Sequence, residues 1–517
     1  MKICIVRPSV LHKEVAFSHM PVAPLGPAYI AAVLREEGHE IQALDAAIEG
    51  YDQVEKFKFG TYIFGLNKEN TIKQIDEGTE IICFSFMFTN NWYFDRELVD
   101  EARKKFPDSV IIAGGEHVTA VPEYCFDTAP ELDYIVMGEG EATIVELIHC
   151  IENNKPVDEI SRIAFKKNTS VQVNNTSRKI KRVQQINDIP WPAWDLFPLQ
   201  KYFENKITYG VYRGNSLPIM ASRGCPYECT FCSNPQMWGR KYSLRSVMDF
   251  VDEMEFLNSK YNVVNFDFYD LTAVIKKYWI IEMCDEIMRR NLKICYQMPA
   301  GTRTEAIDFE VAEKLYKSGC KNITYAPESG SDIVLSDIKK KVKLEHLLES
   351  IRFSKDVGMN IKLNIMVGFP DETHIDILKT ISFLVKSSWY GANDMYPAVF
   401  SPYPGSALYD RLVSDGEIDL YSDEYIMEII NSHDLWPGKV YNNKISSNTI
   451  KFYTVIMYLA FYSSNFLFRP QRFYNLIKNL VTSKHESRSE LVISQTLQKL
   501  KMSKSKSVVK ENKRLAS

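Results

Sequence analysis

The stretch Leu217-Pro-Ile-Met-Ala221-Ser222-Arg223-Gly224-Cys225-Pro226-Tyr227-Glu228-Cys229-Thr230-Phe231-Cys232 sets three cysteines directly behind a short apolar run. With three and then two residues between them, the thiols gather around one small volume, and Gly224 and Pro226 keep the loop from winding into a helix. A [4Fe-4S] cube has four irons and normally takes four cysteines, so three with no evident fourth leave one iron open to a non-protein ligand. A structural zinc site would want a fourth ligand, yet Cys284, Cys295 and Cys320 are scattered through predicted helices and strands. Inert core cysteines would follow an apolar period, whereas these are interleaved with Glu228 and Thr230.

The pattern Cys-x3-Cys-x-aromatic-Cys, with Phe231 as the aromatic residue, resembles the signature of the radical S-adenosylmethionine (SAM) enzymes. The resemblance implies that the open iron holds the amino and carboxylate groups of SAM, which one electron from the cluster cleaves to a 5′-deoxyadenosyl radical. It also implies an electron donor such as a flavodoxin or ferredoxin.

Working outward, 517 residues suffice for two or three domains with full-sized cores. A net charge of −4 gives no electrostatic case for nucleic acid or an anionic membrane. Ten cysteines in so long a chain, with a strand pattern starting at Ile3, suit a reducing cytoplasm better than a disulfide framework. Phe452 to Phe468 is apolar and aromatic but holds Thr454, Ser463, Ser464 and Asn465, and falls short of the ~20 apolar residues of a membrane span. It reads as a packed helix, with interfacial membrane contact as the less favoured alternative.

Residues 1–150 alternate apolar runs (Ile3-Val6, Ile41-Leu44, Ile81-Phe86, Val110-Ala113, Tyr134-Met137) with amphipathic segments (Tyr29-Arg35, Trp92-Lys104, Ala142-Ile151). Strand alternating with helix predicts an α/β, flavodoxin-like, doubly wound parallel sheet. Such sheets bind ligands beyond the carboxyl ends of their strands. There stand Ser9, then Ser85 and Thr89, then Gly114-Gly115-Glu116-His117, then Gly138-Glu139-Gly140, with Pro24-Leu25-Gly26 opening the first helix. No Gly-x-Gly-x-x-Gly follows the first strand, which disfavours a dinucleotide.

Each fragment alone also fits an ordinary turn or helix start. Their order, upstream of the cysteine loop, is similar to that of the cobalamin-binding domain found in front of many radical SAM enzymes. The resemblance departs at one point: the first loop, Arg7-Pro8-Ser9-Val10-Leu11-His12-Lys13, lacks the Asp-x-His-x-x-Gly of domains that ligate cobalt through histidine. His12 therefore reads as a solvated loop residue and His117 as a loop residue lining the site. The cobalamin implied is base-off, without a histidine ligand.

Residues 151–215, with short strand-like pieces and Pro190-Trp-Pro-Ala-Trp-Asp-Leu-Phe-Pro198, read as a structured linker. From 216 to 410 the strand–helix rhythm resumes through Leu217-Ala221, Val264-Tyr269, Ile294-Met298, Asn322-Ala326, Ile361-Met366 and Ala398-Phe400. Six units fall short of the eight of a closed barrel, so a partial (β/α)6 barrel is expected, as the family also implies. Its strand ends carry Tyr269-Asp270, Arg303, Glu328-Ser329-Gly330 and Gly368-Phe369-Pro370. Glu-Ser-Gly resembles the family's contact with the SAM methionyl and ribose groups, and Gly-Phe-Pro its turn near the adenine. Against this, Ser329 or Ser331 could cap a helix, and Asp270 with Arg303 could form a surface ion pair. Residues 411–500 read as helices with a break at 436–438, and 501–517, rich in Lys and Ser, as a disordered tail.

Together the two resemblances imply a cobalamin-dependent radical SAM methyltransferase acting on an unactivated carbon, or on phosphorus, of a small molecule, with two SAM per turnover. Relatives that close or contract rings, and a cobalamin-binding sensor, are the alternatives; the intact cysteines speak against the sensor.

Overall fold

The computed structural model describes residues 1–13, 21–168, 170–174, 186–273, 275–431, 439–482 and 484–494. The expected break at 436–438 and the tail at 501–517 lie outside them.

Strand β1 (Lys2–Arg7) buries Ile3, Cys4, Ile5 and Val6 in succession, as a central parallel strand covered on both faces must. Helix α1 (Leu25–Glu36) follows and leads to β2 (Glu40–Asp45). The chain then crosses to β3 (Ile81–Ser85), α2 (Trp92–Lys105), β4 (Val110–Gly114), β5 (Tyr134–Val136) and α3 (Glu141–Glu152). The parallel strands lie in the order β2-β1-β3-β4-β5, the flavodoxin arrangement, with its switch point between β1 and β3. All five expected strands are present.

The sheet does not stop at residue 150. β6 (Ile163–Lys167) pairs antiparallel with β5, and β7 (Ser170–Asn174) with β6, so the first part of the expected linker belongs to the first domain's sheet. Ile163, Ala164 and Phe165 are buried, which three apolar residues between lysines and an arginine did not announce. His12 also departs from expectation. Val10–Lys13 is the first strand of a separate three-stranded sheet, His12 pairs with Tyr62, and its side chain is 1% exposed rather than solvated. A four-residue strand is too short to display its alternation in sequence.

The second sheet contains β8 (Ser216–Ile219), β9 (Asn265–Phe268), β10 (Cys295–Thr302), β11 (Cys320–Glu328), β12 (Asn360–Val367) and β13 (Asp394–Val399), all parallel and paired in that order. β8 and β13 remain unpaired to one another, so this is an open (β/α)6 barrel. Between the strands run α4 (Val247–Tyr261), α5 (Lys277–Arg289), α6 (Phe309–Ser318), α7 (Leu344–Asp356) and α8 (His374–Tyr390). Asp267 and Gln297 draw the connecting segment into the barrel. Asp267 accepts from the Thr208 hydroxyl and the Tyr209 and Gly210 amides, while Gln297 both accepts from Val211 N (2.9 Å) and donates to its carbonyl (2.7 Å). Helices α9 (Ala407–Ser414), α10 (Asp423–Asn431), α11 (Ser447–Phe468) and α12 (Pro470–Thr482) follow.

The glycines behind β4 divide by role. A Cβ on Gly115, at φ +123°, would lie 2.4 Å from the Phe86 carbonyl oxygen, whereas one on Gly114 would meet only Val136 O at 3.6 Å. Gly115→Ala is therefore expected to destabilise the N-terminal domain by about 2–3 kcal/mol, and Gly114→Ala to change it by no more than about 0.5 kcal/mol, compared by denaturant melts of the two variants.

Candidate functional site

The cysteine loop grows from the end of β8. Asp270, just beyond β9, is 2% exposed and accepts from Ala221 N (3.1 Å) and the Ser222 hydroxyl, anchoring the root of the loop. Burial pushes its carboxyl up to about 6, against the pull of these hydrogen bonds. Cys232 N donates to Cys229 O (3.1 Å), Thr230 N to Ile338 O (3.0 Å) and Leu408 N to Thr230 O (2.9 Å), so the loop is held from two other segments of the barrel.

Cys225, Cys229 and Cys232 are free and half-buried. Burial raises Cys229 and pushes Cys232 up to about 12, and both also feel the charge of Cys225. Among the described residues no three His, Cys, Asp or Glu side chains stand close enough to enclose a single metal ion. A mononuclear zinc site needs its sulfurs about 2.3 Å from one point, whereas a four-iron cube takes one thiolate at each corner. Thiols that sense one another without converging on a point fit the cube.

A second layer lies against the loop. Glu328, at the end of β11, adopts φ +68° beside a break in register with β12 and pairs with Lys340 (2.9 Å). Burial alone would lower the Lys340 ammonium, but Glu328 and Cys229 hold it above its ordinary value. Lys340 stands 5.9 Å from the Phe231 ring, and Phe231 packs on Phe369 at 5.8 Å. Arg303 stacks over Tyr227 at 3.7 Å, pairs with Glu305 and donates to the Lys341 carbonyl. Asp270 and Arg303 are thus both buried, with separate partners, and do not form the surface ion pair held open from sequence.

The serines also differ from expectation. Ser331 stands before a short helix but its hydroxyl donates to Asp376 (2.6 Å) instead of capping, and the Ser329 hydroxyl faces Thr380 (3.1 Å). Gly330 is tight because a Cβ there would lie 2.6 Å from Phe383 Cβ and 2.7 Å from Thr380 Cα. Gly368, at φ +85°, donates to Glu372 Oε2 (2.6 Å), and the Pro370 carbonyl accepts from Asn443 N (2.9 Å). Tyr269 is half-buried, its ring 5.5 Å from that of Tyr209.

The carboxyl edge of the first sheet meets this loop. Glu141, the first residue of α3, forms a buried ion pair with Arg223 (2.5 Å), whose guanidinium lies 5.1 Å from the Tyr29 ring and 5.5 Å from that of Trp238. Burial raises Glu141, but Arg223 outweighs it and holds the carboxyl below its ordinary range; Glu139 adds to the field on Arg223. Glu116 accepts from the Ser233 hydroxyl, one residue past Cys232, and Arg162 donates to Gln236 O (2.7 Å).

Along that edge the residues expected to touch a ligand separate into two groups. At Gly26 a Cβ would have no neighbour within 4 Å, at Gly114 it would meet only Val136 O at 3.6 Å, and beyond Ser85 the side chains of Met87 and Phe88 are exposed. An edge with apolar side chains bare beside open backbone fits a large flat ligand. Other positions are committed to the protein itself. Ser9 donates to Leu66 O (2.7 Å), Pro24 and Leu25 are buried, a Cβ on Gly138 would strike the Arg162 guanidinium, and one on Gly140 would lie 3.1 Å from Ile30. His117 does not line the site: it is 2% exposed, bonds Thr89 (3.0 Å) and packs on Trp92 at 4.9 Å. Burial lowers its pKa to about 3, so the ring is neutral. The sequence reading gave no role to Lys340, Glu372, Tyr227, Arg223 and Thr380, although Tyr227 lies inside the cysteine motif, Arg223 two residues before it and Glu372 two residues beyond Gly-Phe-Pro.

Residues 15–148 match the family model of the B12 binding domain, and residues 219–384 that of the radical SAM superfamily. An uncharacterized methyltransferase of Pyrococcus horikoshii is 28% identical over 76% of this chain and 79% of its own length. The cytidylyl-2-hydroxyethylphosphonate methyltransferase of Streptomyces wedmorensis is also 28% identical, over 80% and 83%. The anaerobic magnesium-protoporphyrin IX monomethyl ester cyclase of Cereibacter sphaeroides is 24% identical over 83% and 67%. Among solved structures, the radical SAM methyltransferase TsrM of Kitasatospora setae, with cobalamin and a [4Fe-4S] cluster bound, superposes at a TM-score of 0.62 and 16% identity, over 80% of this chain and 78% of its own. The cobalamin-dependent radical enzyme OxsB gives 0.62 and 20% over 82% and 56%.

Glu372 gives the site a pH signature. It is 2% exposed, and burial pushes its carboxyl from 4.5 to about 7. Between those values the native state keeps a proton that the unfolded chain has lost, so stability falls as pH rises through this window and then levels off, by about 3 kcal/mol in all. Glu372→Gln is expected to flatten that part of the stability–pH curve, measured by denaturant melts from pH 4.5 to 8.

Proposed function

We propose that this chain, which belongs to the cobalamin-binding radical SAM enzymes, is a methyltransferase that places a methyl group on an unactivated carbon, or on phosphorus, of a small-molecule intermediate. The observation that carries the reading is the meeting of two carboxyl edges: the flavodoxin-type sheet faces the cysteine loop across Glu116–Ser233 and Arg223–Glu141. In this reading the cluster with SAM supplies the radical that activates the substrate, and cobalamin carries the methyl group.

The chain's own residues hold, orient and shield. Cys225, Cys229 and Cys232 would ligate the cluster, leaving one iron for SAM. Phe231, packed against Phe369 and flanked by Lys340, would wall the adjoining pocket, where Tyr269, Arg303, Glu328, Ser329, Gly330, Gly368 and Pro370 are candidates for contact with SAM. Asp270 acts from behind, by fixing the loop's root. Cobalamin would lie over Gly114 and Gly26 beside Met87 and Phe88, with Glu116 between the two sites. The buried Arg223–Glu141 pair fixes the separation of the two domains at that point, so a substrate between them is positioned by rigid elements.

We read the cobalamin as base-off without a histidine ligand, since His12 is buried in a strand and His117 is enclosed by Thr89, Trp92 and Tyr124. Electron paramagnetic resonance of the reduced cofactor in the protein should lack nitrogen splitting, and His117→Ala should leave the spectrum unchanged. Splitting that disappears in this variant would sink the assignment. An external flavodoxin or ferredoxin would deliver the electron. The ten cysteines, all free thiols, suit a reducing cytoplasm, and the net charge of −4 argues against nucleic acid as substrate.

By-product stoichiometry tests the reaction class. A methyltransferase of this design uses one SAM for the methyl group and a second for the radical, so S-adenosylhomocysteine and 5′-deoxyadenosine should accumulate in about equal amounts per product. Deoxyadenosine without matching S-adenosylhomocysteine, with the true substrate present, would replace this reading by the ring-forming chemistry that the similarity to the cyclase suggests.

A further inference from the structure

Helices α8, α11 and α12 form one surface. α8 and α11 run side by side in the same direction, joined by His374–Tyr453 (2.9 Å), Ser388–Ser464 (2.9 Å) and the edge-on contact of Trp389 with Phe468 (5.0 Å). Phe466 of α11 meets Phe473 of α12 at 5.4 Å.

This surface is apolar on its outer as well as its inner side, unlike that of an ordinary amphipathic helix. The inner stripe of α11 packs Ile450, Met457 and Phe461 into the core beside Thr454, Ser464 and Asn465, while its outward stripe presents Phe452, Val455, Leu459 and Leu467, at spacings of three, four and eight residues. Leu467 is 77% exposed and Phe452 60%. On α12 the outward stripe is Phe473, Tyr474, Ile477 and Val481, the last 79% exposed. α8 adds Ile375, Leu378 and Trp389, the tryptophan 66% exposed. So many large apolar side chains on neighbouring helices exceed the scattered singles normal for a soluble surface.

Charge narrows the choice of partner. Across the three helices the sequence holds one carboxylate, Asp376, which is 4% exposed and accepts from Ser331 and Thr373. The same helices carry Lys379, Lys386, Lys451, Arg472 and Lys478. On a chain of net charge −4 this is a segregated cationic, aromatic-rich face. A second copy docking face to face would oppose these cations to themselves, whereas anionic headgroups would neutralise them while the apolar stripes enter the acyl boundary. No helix among the described residues is long and apolar enough to cross a membrane.

We propose that the outward face of α8, α11 and α12 is a peripheral docking surface for an anionic phospholipid bilayer, with the helices lying in the plane of the interface. The sequence ranks such contact below a packed helix; α11 is packed on its inner face, and its outer apolar stripe leaves room for both.

The test is sedimentation of the full-length chain with vesicles of phosphatidylcholine alone or mixed with phosphatidylglycerol, at low and high salt. Binding is expected to the mixed vesicles only, weakened by salt, with a blue shift of tryptophan emission that Trp389→Phe diminishes. Leu467→Asp with Val481→Asp, at exposed positions, should weaken binding roughly tenfold or more while leaving the circular dichroism spectrum unchanged. Lys379→Glu with Lys478→Glu should do the same. Failure to bind mixed vesicles, binding that both double variants leave intact, or a dimer that Leu467→Asp with Val481→Asp dissociates in the absence of vesicle binding would each overturn the proposal.

Discussion

Arg223 and Glu141 form the contact on which the arrangement of the two domains depends. Arg223 stands two residues before Cys225, and Glu141 opens the helix behind Gly138-Glu139-Gly140, so the pair ties the root of the cysteine loop to the carboxyl edge of the other sheet. The carboxylate also sits at a helix N-terminus, where negative charge is favoured. Tyr29 and Trp238 flank the guanidinium, one from each side of the interface. A buried pair of this kind adds little net stability over an apolar substitute, but leaving either partner alone costs about 3–5 kcal/mol. Its work is registration: the two domains can meet in few other ways without stranding a charge.

What was legible in the sequence was whatever announces itself by period or spacing. The five parallel strands of the first sheet and the six of the barrel were readable as apolar runs set between helical periods, some with successive residues buried like β1 and others with only alternate residues buried like β12, and the cysteine loop because its spacing has few other uses. Short strand-like pieces were legible after residue 150, but not their pairing with β5, which depends on residues distant in sequence, and the four residues around His12 lack an apolar run. Glycines are ambiguous in a different way. Gly115, Gly138 and Gly330 have no room for a Cβ because of Phe86, Arg162 and Phe383, contacts made by segments distant in sequence. A glycine required by packing looks the same in sequence as one required by a ligand. Lys340 and Thr380 were invisible for a related reason: each acquires its role only by meeting Glu328 or Ser329 across the fold.

The segment between the domains has a similar lesson. Thr208 to Val211 supply one hydroxyl and several backbone groups to Asp267 and Gln297, two polar side chains pointing into the barrel. Without that segment the buried Asp267 carboxylate would lose three donors and the buried Gln297 amide would keep only Asn265 (3.1 Å), a large penalty. The connection is therefore part of the barrel's interior, and composition alone could say only that it was not a flexible tether.

Glu328 shows what a side chain can be worth to a site. Its left-handed backbone would suit glycine better, by about 1 kcal/mol. Glycine there, however, would leave Lys340 buried without its counterion beside Cys229. The residue at this turn is thus chosen against the comfort of the main chain. In a library built at position 328 and sorted for thermal stability alone, small flexible residues would be tempting winners, and the charge balance around the loop would be what they gave up.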